Sequence, residues 1–453
     1  MFYDFIIVGG GIGGLYTAYK LNKCSPEKKI LIIEKSGTLG GRVYTYHDSY
    51  MDVEAGAGRF SDKHHLLLEL IRELKLSNKM MEHTGGVVFA PSDYTNSIQP
   101  SLMENPLGRE AFEQSGFVTP IYNRMLDIYL GEQNMPSSGL ITKVVLASQL
   151  ESRETLQNMS FVEYASKVLS KEEIEYIKQT FGYYSELIIM NSYDAIQLMN
   201  ALGPSNTFYG LRGGISQIIE RMEHSIRKNP NHKILKNHEV KKITPLFGEM
   251  GGTGFQIDVF DKSTSYYGKK CVCALPKQVL EKLKVFQPIK KMLEKIECGS
   301  LCRIYSQFDK GKNGKLWFHD LPKLTTDNEL RMVIPIDTKQ GSIMISYTDN
   351  KYAEFWRTLY EKKGVREVNR QLKEKMRASL GIEIPMPKHT KVFYWKCGVG
   401  YWGIGADSHE ISNQMTKPFP DIDLFVCGEH YSEKNQQWME GALETSSRVL
   451  RLL

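Results

Sequence analysis

The chain has 453 residues, is 41% hydrophobic and 24% charged, and carries a net charge of +6. That length suits two or three domains around a large core, and so mild a charge argues against nucleic acid or a membrane surface as a partner. No apolar run approaches the ~18–20 residues of a membrane span, no signal peptide is evident, and the seven cysteines show no metal-ligand spacing, so a soluble cytoplasmic protein with reduced thiols and no metal is expected.

The first predicted elements lie in "YDFIIVGGGIGGLYTAYKLNK": a buried strand from about Phe2, a glycine turn and a helix. "KILIIEK" is a second buried strand, completing one strand–helix–strand unit of a doubly wound sheet. "DKHHLLLELIREL" has helical spacing, with Ser61 as its expected N-cap. From about Asn78 to Pro204 the texture turns helical. "EAFEQSGFVTPIYNRMLDIYLGE" and "ITKVVLASQL" carry helical spacing, and loops such as "APSDYTNSIQPSLMENPLG" separate them. Ser160 and Ser170 each precede a glutamate by three residues, the capping-box pattern.

"FYGLRGGISQIIERMEHSI" opens a new helix after a glycine turn, and strands follow at "ILKNHEVKKITPL", "GFQIDVF" and "YYGKKCVCALP". Cys271 and Cys273 alternate on the last of these and are read as one facing in and one out. "GSLCRIYSQFD", "LRMVIPID" and "GSIMISYTD" alternate as strands of a second sheet. The run from Asn350 to Leu380 reads as two helices. "KVFYWKCGVGYWGIG" is a strand entering a glycine-aromatic loop, and the remainder is strand, turn and long helix.

Gly9, Gly11 and Gly14 have the spacing of a dinucleotide-binding turn: one glycine turns tightly, one admits a pyrophosphate, one lets helix and strand pack closely. The helix N-terminus then faces the phosphates. Glu34 follows about twenty residues later, at the end of the second strand, where an acid meets a ribose hydroxyl and opposes a 2′-phosphate. Arg42, in "GGRVYT", can neutralise pyrophosphate charge from another side.

Together with "LRGGISQIIERM" and "LFVCGEHYSEKNQQWMEGALETS", these motifs resemble the flavin-containing amine oxidase superfamily, which includes monoamine, polyamine and L-amino acid oxidases. The resemblance covers both ends and the middle strands and is weak across 78–200 and 310–390. It implies an α/β fold with a doubly wound FAD-binding domain, a mixed-sheet substrate domain and a helical insert. The implied boundaries are 1–77, 206–285 and 395–453 for the FAD-binding domain. The helical first part of the substrate domain then takes 78–205, and its sheet and helices take 286–394.

The resemblance implies FAD held by Gly9, Gly11, Ile12, Gly13, Gly14, Glu34, Lys35, Gly41 and Arg42. Gly56, Ala57, Gly58 and Arg59 would approach the flavin closely. Val240 lies where an adenine-side strand offers backbone bonds, or is a core strand residue. Gly428 and Glu429 would meet the pyrophosphate and ribityl chain, with Trp438 and Met439 near the ring system. Tyr401 or Trp402 would face Trp438 across the amine, or these rings are ordinary core. The family lysine that helps the reaction with dioxygen is replaced by Arg303, which cannot deprotonate. It would sit near the flavin or turn away to a carboxylate. Gly400 stands where monoamine oxidases carry the flavin-linked cysteine, so FAD is expected to be non-covalent.

The implied reaction passes a hydride from the amine α-carbon to the flavin, hydrolyses the imine and reduces dioxygen to hydrogen peroxide. "EAGAGRF" is similar to the passage in L-amino acid oxidases where an arginine forks onto the substrate carboxylate. The favoured substrate is an L-amino acid or other carboxylated amine bound through Arg59. The alternatives are a mono- or polyamine oxidase with a structural Arg59, or a desaturase-like or non-catalytic FAD-binding protein. The substrate partners are the amine and dioxygen, with a homodimer one option for assembly. Histidines 64, 65 and 430 are read as surface or satisfied core residues. Glu186 and Asp194 are acids able to meet a distal ammonium.

Overall fold

A computed structural model describes residues 2–83, 87–92, 137–201, 206–247, 253–260, 263–337 and 339–453. The helix expected at 110–132 lies outside the described residues, as does most of the loop before it. The centre of the nucleotide-binding region is a seven-stranded sheet. Its order is Val240–Phe247, Thr253–Val259, Ser265–Cys273, Phe2–Val8, Ile30–Ile33 and His232–Leu235, with Leu424–Val426 also paired to Ser265–Cys273. Phe2–Val8 runs parallel to both of its neighbours.

Both faces of this sheet are covered, which is why its inner strands read as unbroken apolar runs. Helices Ile12–Cys24, Gln217–Arg227 and Met439–Leu450 pack on one face, around Ile7, Ile32, Val272 and Phe425. The opposite layer contains Ile6, Val8, Cys271, Cys273 and Trp402. Cys271 and Cys273 therefore face the same side, and both are fully buried. The in-and-out reading was wrong because residues two apart on a strand share a face.

The second sheet has six strands in the order His389–Trp402, Ile296–Gln307, Ser342–Asp349, Met332–Asp337, Lys323–Thr325 and Val87–Phe89. The run Asn350–Leu380 covers it and breaks at Gly364, whose φ of 72° interrupts the helical backbone, so it is two helices as read. Both expected capping boxes form, at Ser160–Glu163 and Ser170–Glu173. Each such cap typically adds about 1 kcal/mol. Arg331, 1% exposed, donates to the carbonyls of Lys178, Gln179 and Phe181 and so ties the end of helix Lys171–Thr180 to the second sheet.

The N-cap expectation at Ser61 fails. Ser61 ends the short strand Phe60–Ser61, and the helix starts later, at His65–Glu73. Its first-turn amides at Leu66 and Leu67 are instead satisfied by the Glu440 carboxylate, 2.9 Å from each. A cap brought from the far end of the chain leaves no local sequence signal. Phe60–Ser61 also pairs with Phe208–Leu211, which sets Phe208 opposite Ser61.

Candidate active site

The nucleotide end is built on the turn after the first strand. Gly9 has φ +105°, and a Cβ there would collide with the Ala274 carbonyl. A Cβ on Gly14 would strike Gly9 itself, while a Cβ on Gly11 would meet nothing nearer than 4.0 Å. Space is thus closed behind the turn and open at the helix N-terminus, where Ile12–Cys24 has no side-chain cap and no acid in its first turn. Exposed N–H groups and a helix dipole favour an anionic group there. Gly13 packs against Ser446 of the last helix.

Glu34 is 8% exposed and accepts from the Gly10 amide at 2.7 Å and from the Ser36 amide at 2.8 Å. Lys35 beside it is exposed. The Glu34 carbonyl accepts from the His238 amide, and Val240, two residues on, begins the strand paired with Val259. Gly40 and Gly41 have positive φ and fold over the turn, with the Gly40 amide 2.8 Å from the Gly10 carbonyl. That delivers Arg42 to an ion pair with Glu429 and a 3.0 Å bond to the Gly398 carbonyl. Burial alone would raise the Glu429 carboxyl, but His430 and Arg42 outweigh it and hold it well below the usual range. His430, read as a bland histidine, is fully buried in this network, with Nε2 3.0 Å from Glu429. Gly428 before them has φ +141° and donates its amide to Thr445.

The loop Glu54–Arg59 lies between the two ends. The Ala57 amide bonds the Arg42 carbonyl at 2.9 Å, and a Cβ on Gly56 would collide with that carbonyl. Arg303 grips the loop from below, donating to the carbonyls of Glu54 and Gly56 with its guanidinium 4.6 Å from the Tyr347 ring. A Cβ on Gly58 would sit 3.2 Å from Arg303. Arg303 thus meets backbone carbonyls and a ring, and no described carboxylate lies within ion-pair distance.

Arg59 projects from the far side of the loop. Its guanidinium stacks 4.6 Å from the Phe208 ring and 5.8 Å from the Trp438 ring, and donates to the Tyr183 hydroxyl at 3.0 Å. Phe208 and Trp438 are themselves stacked, with centroids 5.9 Å apart. Tyr183 contacts Tyr347, 5.8 Å away and edge-on. Trp438 also meets His64 at 4.9 Å. Arg59, Arg303, Trp438, Phe208, Tyr183 and Tyr347 therefore form one continuous cluster beside the Gly56–Gly58 loop.

Tyr401 and Trp402 separate at this point. They end a regular strand, where the sequence reading expected a loop, and so face opposite sides. Tyr401 is buried with the helical segment and feels the charges of Asp349 and Glu186. Trp402 packs in the core below the first sheet and donates its indole N–H to the Ser432 carbonyl at 3.1 Å. The structure does not bring Trp402 to the cluster. Met439, also expected near the ring system, packs in the helix layer of the first sheet.

Glu186 is 2% exposed, and its Oε2 has no hydrogen-bond partner among the described residues. Burial and Asp349 push its carboxyl well up, against the pull of Arg59. Asp194 is used differently, accepting from Asn191 at 2.8 Å and pushed up to about 7 by burial. Phe208, Tyr183 and Tyr347 carry no motif: strand pairing places Phe208 and Tyr347, and the helical segment brings Tyr183.

A family model described as flavin-containing amine oxidoreductase matches residues 12–449. The chain belongs to this flavin-containing amine oxidoreductase family. A protein called R188 from Acanthamoeba polyphaga mimivirus is 24% identical over 99% of this chain and 93% of its own length. Aplysianin-A of Aplysia kurodai is 21% identical over 98% of this chain and 89% of its own length. An L-amino-acid oxidase of Naja atra is 31% identical over a shorter stretch, 22% of this chain and 21% of its own. Among solved structures, a putrescine oxidase bound to putrescine superposes with TM-score 0.71 at 15% identity, covering 100% of this chain and 98% of that one. The fold is shared at that level.

The protein is therefore an FAD-dependent amine oxidoreductase, and the residues present fit the cofactor. The open helix N-terminus at Gly11, the buried acid Glu34 and the Arg42–Glu429 pair match the charge pattern of an extended dinucleotide. No described helix is long and apolar enough to cross a membrane. The cysteine expectation needs correcting: Cys298 and Cys397 are joined by a disulfide, and the remaining five are thiols. They lie on adjacent strands 99 residues apart in sequence, which spacing rules for local motifs do not detect. With His430 they also form a group of metal-ligand residue types, although the two sulfurs are bonded to each other.

Proposed function

We propose that this amine oxidoreductase oxidises an L-amino acid or another amine bearing a carboxylate, bound through Arg59. The observation that supports this reading is the company Arg59 keeps. Two aromatic rings and one hydroxyl surround it, and among the described residues no carboxylate lies within ion-pair distance. Arg59 acts on the buried acid Glu186, but burial and Asp349 outweigh it and push that carboxyl well up. Burial and then Arg59 lower Lys323, while His83 is lowered by burial, Lys323 and, after these, Arg59. A partly enclosed guanidinium in that state favours an anion, and a carboxylate matches its parallel donors.

FAD supplies the two-electron acceptor, with dioxygen as the proposed final oxidant and peroxide as the product. The chain supplies the rest. Phe208 and Trp438 fix the guanidinium plane, and Tyr183 fixes its edge. Burial pushes the Tyr183 hydroxyl up to about 12, so it remains a neutral group beside Arg59. The aromatic wall excludes water and favours the neutral amine, the form able to lose a hydride. Arg303 holds the Glu54–Gly58 backbone in place from the opposite side.

A coupled peroxide assay on Arg59→Ala and Arg59→Lys, over amino acids and plain amines, tests the reading. Activity on carboxylated substrates should collapse while any activity on plain amines persists. Unchanged KM for a carboxylated substrate would overturn it. One observation favours a second reading, the unpartnered Glu186 oxygen, which could meet a substrate ammonium in a polyamine-type reaction. Loss of diamine oxidation in Glu186→Gln, with Arg59→Ala silent, would select that reading.

A further inference from the structure

Cys298 and Cys397 face each other across the neighbouring strands Ile296–Gln307 and His389–Trp402, with Cα atoms 5.1 Å apart. The pairing register of these strands shifts between Gly299 and Leu301, beside the bond. Both cysteines are partly exposed, whereas four of the other five are buried. The residues that follow Cys397 serve the nucleotide end directly. The Gly398 carbonyl accepts from Arg42 at 3.0 Å, and the Gly400 amide donates to Glu429 at 3.2 Å. This stretch packs closely on its neighbours: a Cβ on Gly398 would come within 2.7 Å of Leu301, and one on Gly400 within 2.9 Å of His430.

The Nε2 of the buried His430 lies 3.8 Å from the Cys397 sulfur. A metal between these three residues is disfavoured, because the Arg42 guanidinium stands 3.2 Å from the same nitrogen. The guanidinium also lies near the Cys397 sulfur's histidine neighbour and can offset negative charge on that sulfur, while the Glu429 carboxylate, paired with Arg42 and 3.0 Å from His430 Nε2, opposes it. Gln278 Oε1, 3.5 Å from the Cys298 sulfur, can accept a hydrogen bond from the Cys298 thiol once it forms.

We propose that Cys298–Cys397 is a thiol-exchange site that couples a small-molecule thiol pool to retention of FAD. A thiolate such as that of glutathione attacks the Cys298 sulfur, and the Cys397 thiolate leaves toward His430. A second glutathione thiolate attacks the mixed disulfide, releasing the Cys298 thiolate and forming glutathione disulfide. Two thiol protons pass from the glutathiones to the two cysteines, so two electrons and two protons balance. Opening the bond frees the Cys397–Gly400 stretch, and with it the backbone that holds Arg42 and Glu429. The inference does not depend on which amine is the substrate.

The test uses the holoenzyme equilibrated across ratios of reduced to oxidised glutathione. Alkylation followed by peptide mass analysis reports the state of each cysteine, and flavin fluorescence after dilution reports the release rate. Cys298 and Cys397 should become alkylated together, with flavin release several-fold faster in that state and restored on reoxidation. Cys298→Ser/Cys397→Ser should release flavin at the fast rate whatever the glutathione ratio, and Cys24→Ser should respond like the parent. A pair that stays open or stays closed at every ratio would overturn the proposal. So would equal release rates in the two states of the unmodified chain, a comparison that needs no variant to fold.

Discussion

The two ends of the site treat charge in opposite ways. At the nucleotide end Glu34 is met by two backbone amides, and Arg42 and Glu429 are met by each other. At the proposed substrate end Arg59 rests on rings and one hydroxyl, and Glu186 keeps a buried oxygen without a partner among the described residues. A group already satisfied by the protein holds shape, whereas a buried group left unsatisfied awaits something from outside. The first end is organised to hold a cofactor of fixed structure. On the proposed function, the second chooses among substrates.

The largest effect should follow from disturbing the satisfied end. Gly9→Ala places a Cβ against the Ala274 carbonyl at a φ of +105°. The strain alone is worth roughly 1–3 kcal/mol, and the collision adds to it. Purified variant should carry little flavin per polypeptide by absorbance and should melt earlier. A variant with full flavin content would mean the turn has slack that its contacts do not suggest.

Arg59→Ala comes next and acts on the other end alone. Losing a charge-assisted bond to the substrate costs about 1.5–3 kcal/mol, or roughly 10- to 100-fold in kcat/KM for a carboxylated amine. Flavin content should be unchanged. Arg59→Lys should recover only part, because an ammonium cannot stack on Phe208 and Trp438 or fork onto a carboxylate as a guanidinium does. If Arg59→Ala instead strips flavin, the boundary between the two ends is misdrawn.

Arg303→Lys probes the join between them. The arginine spans the carbonyls of Glu54 and Gly56 while stacking on Tyr347, and lysine cannot do all three. One lost hydrogen bond, about 1 kcal/mol, should slow turnover several-fold by letting the loop that carries Arg59 shift. A rise in KM confined to carboxylated substrates would identify Arg303 as a positioning residue. A uniform fall in the flavin's reaction with dioxygen would give it a more direct part.

What could be read from the sequence follows the same division. The nucleotide end is local: a strand, three glycines and an acid at set spacing imply their geometry, because a helix must start where the turn releases it. Arg59 and Trp438 could be singled out from the sequence, but the neighbours the fold gives them could not. Phe208 arrives by pairing with Phe60–Ser61, and Tyr183 comes from the helical segment where the resemblance is weakest. The choice between Tyr401 and Trp402 stayed open because a glycine-rich passage looked like a loop, whereas it continues a 14-residue strand whose alternation turns the Trp402 ring into the core. The Cys298–Cys397 bond and the Glu440 cap on helix His65–Glu73 share one cause. Each joins positions far apart in sequence, and composition holds no record of such meetings.

A pH profile separates the two ends without any substitution at either of them. Burial pushes His64, beside Trp438, down to about 4 from an ordinary value of 6.5. Its ring is held neutral as it accepts from the Ser61 amide at 3.1 Å. As pH falls below about 6.5, the unfolded chain gains a proton at this position and the folded chain does not. The stability tied to the neutral ring is therefore complete above about 6.5 and is lost on descending toward about 4, amounting to about 2 kcal/mol between pH 7 and pH 5. Glu429 has the opposite chemistry but the same direction: its depressed carboxyl contributes above the ordinary carboxylate range and loses that contribution only at still lower pH. Denaturant midpoints measured from pH 7 to pH 3 should thus fall in two stages. His64→Gln should flatten the upper stage and Glu429→Gln the lower, and a variant that flattened both would show that the two ends unfold as one electrostatic unit.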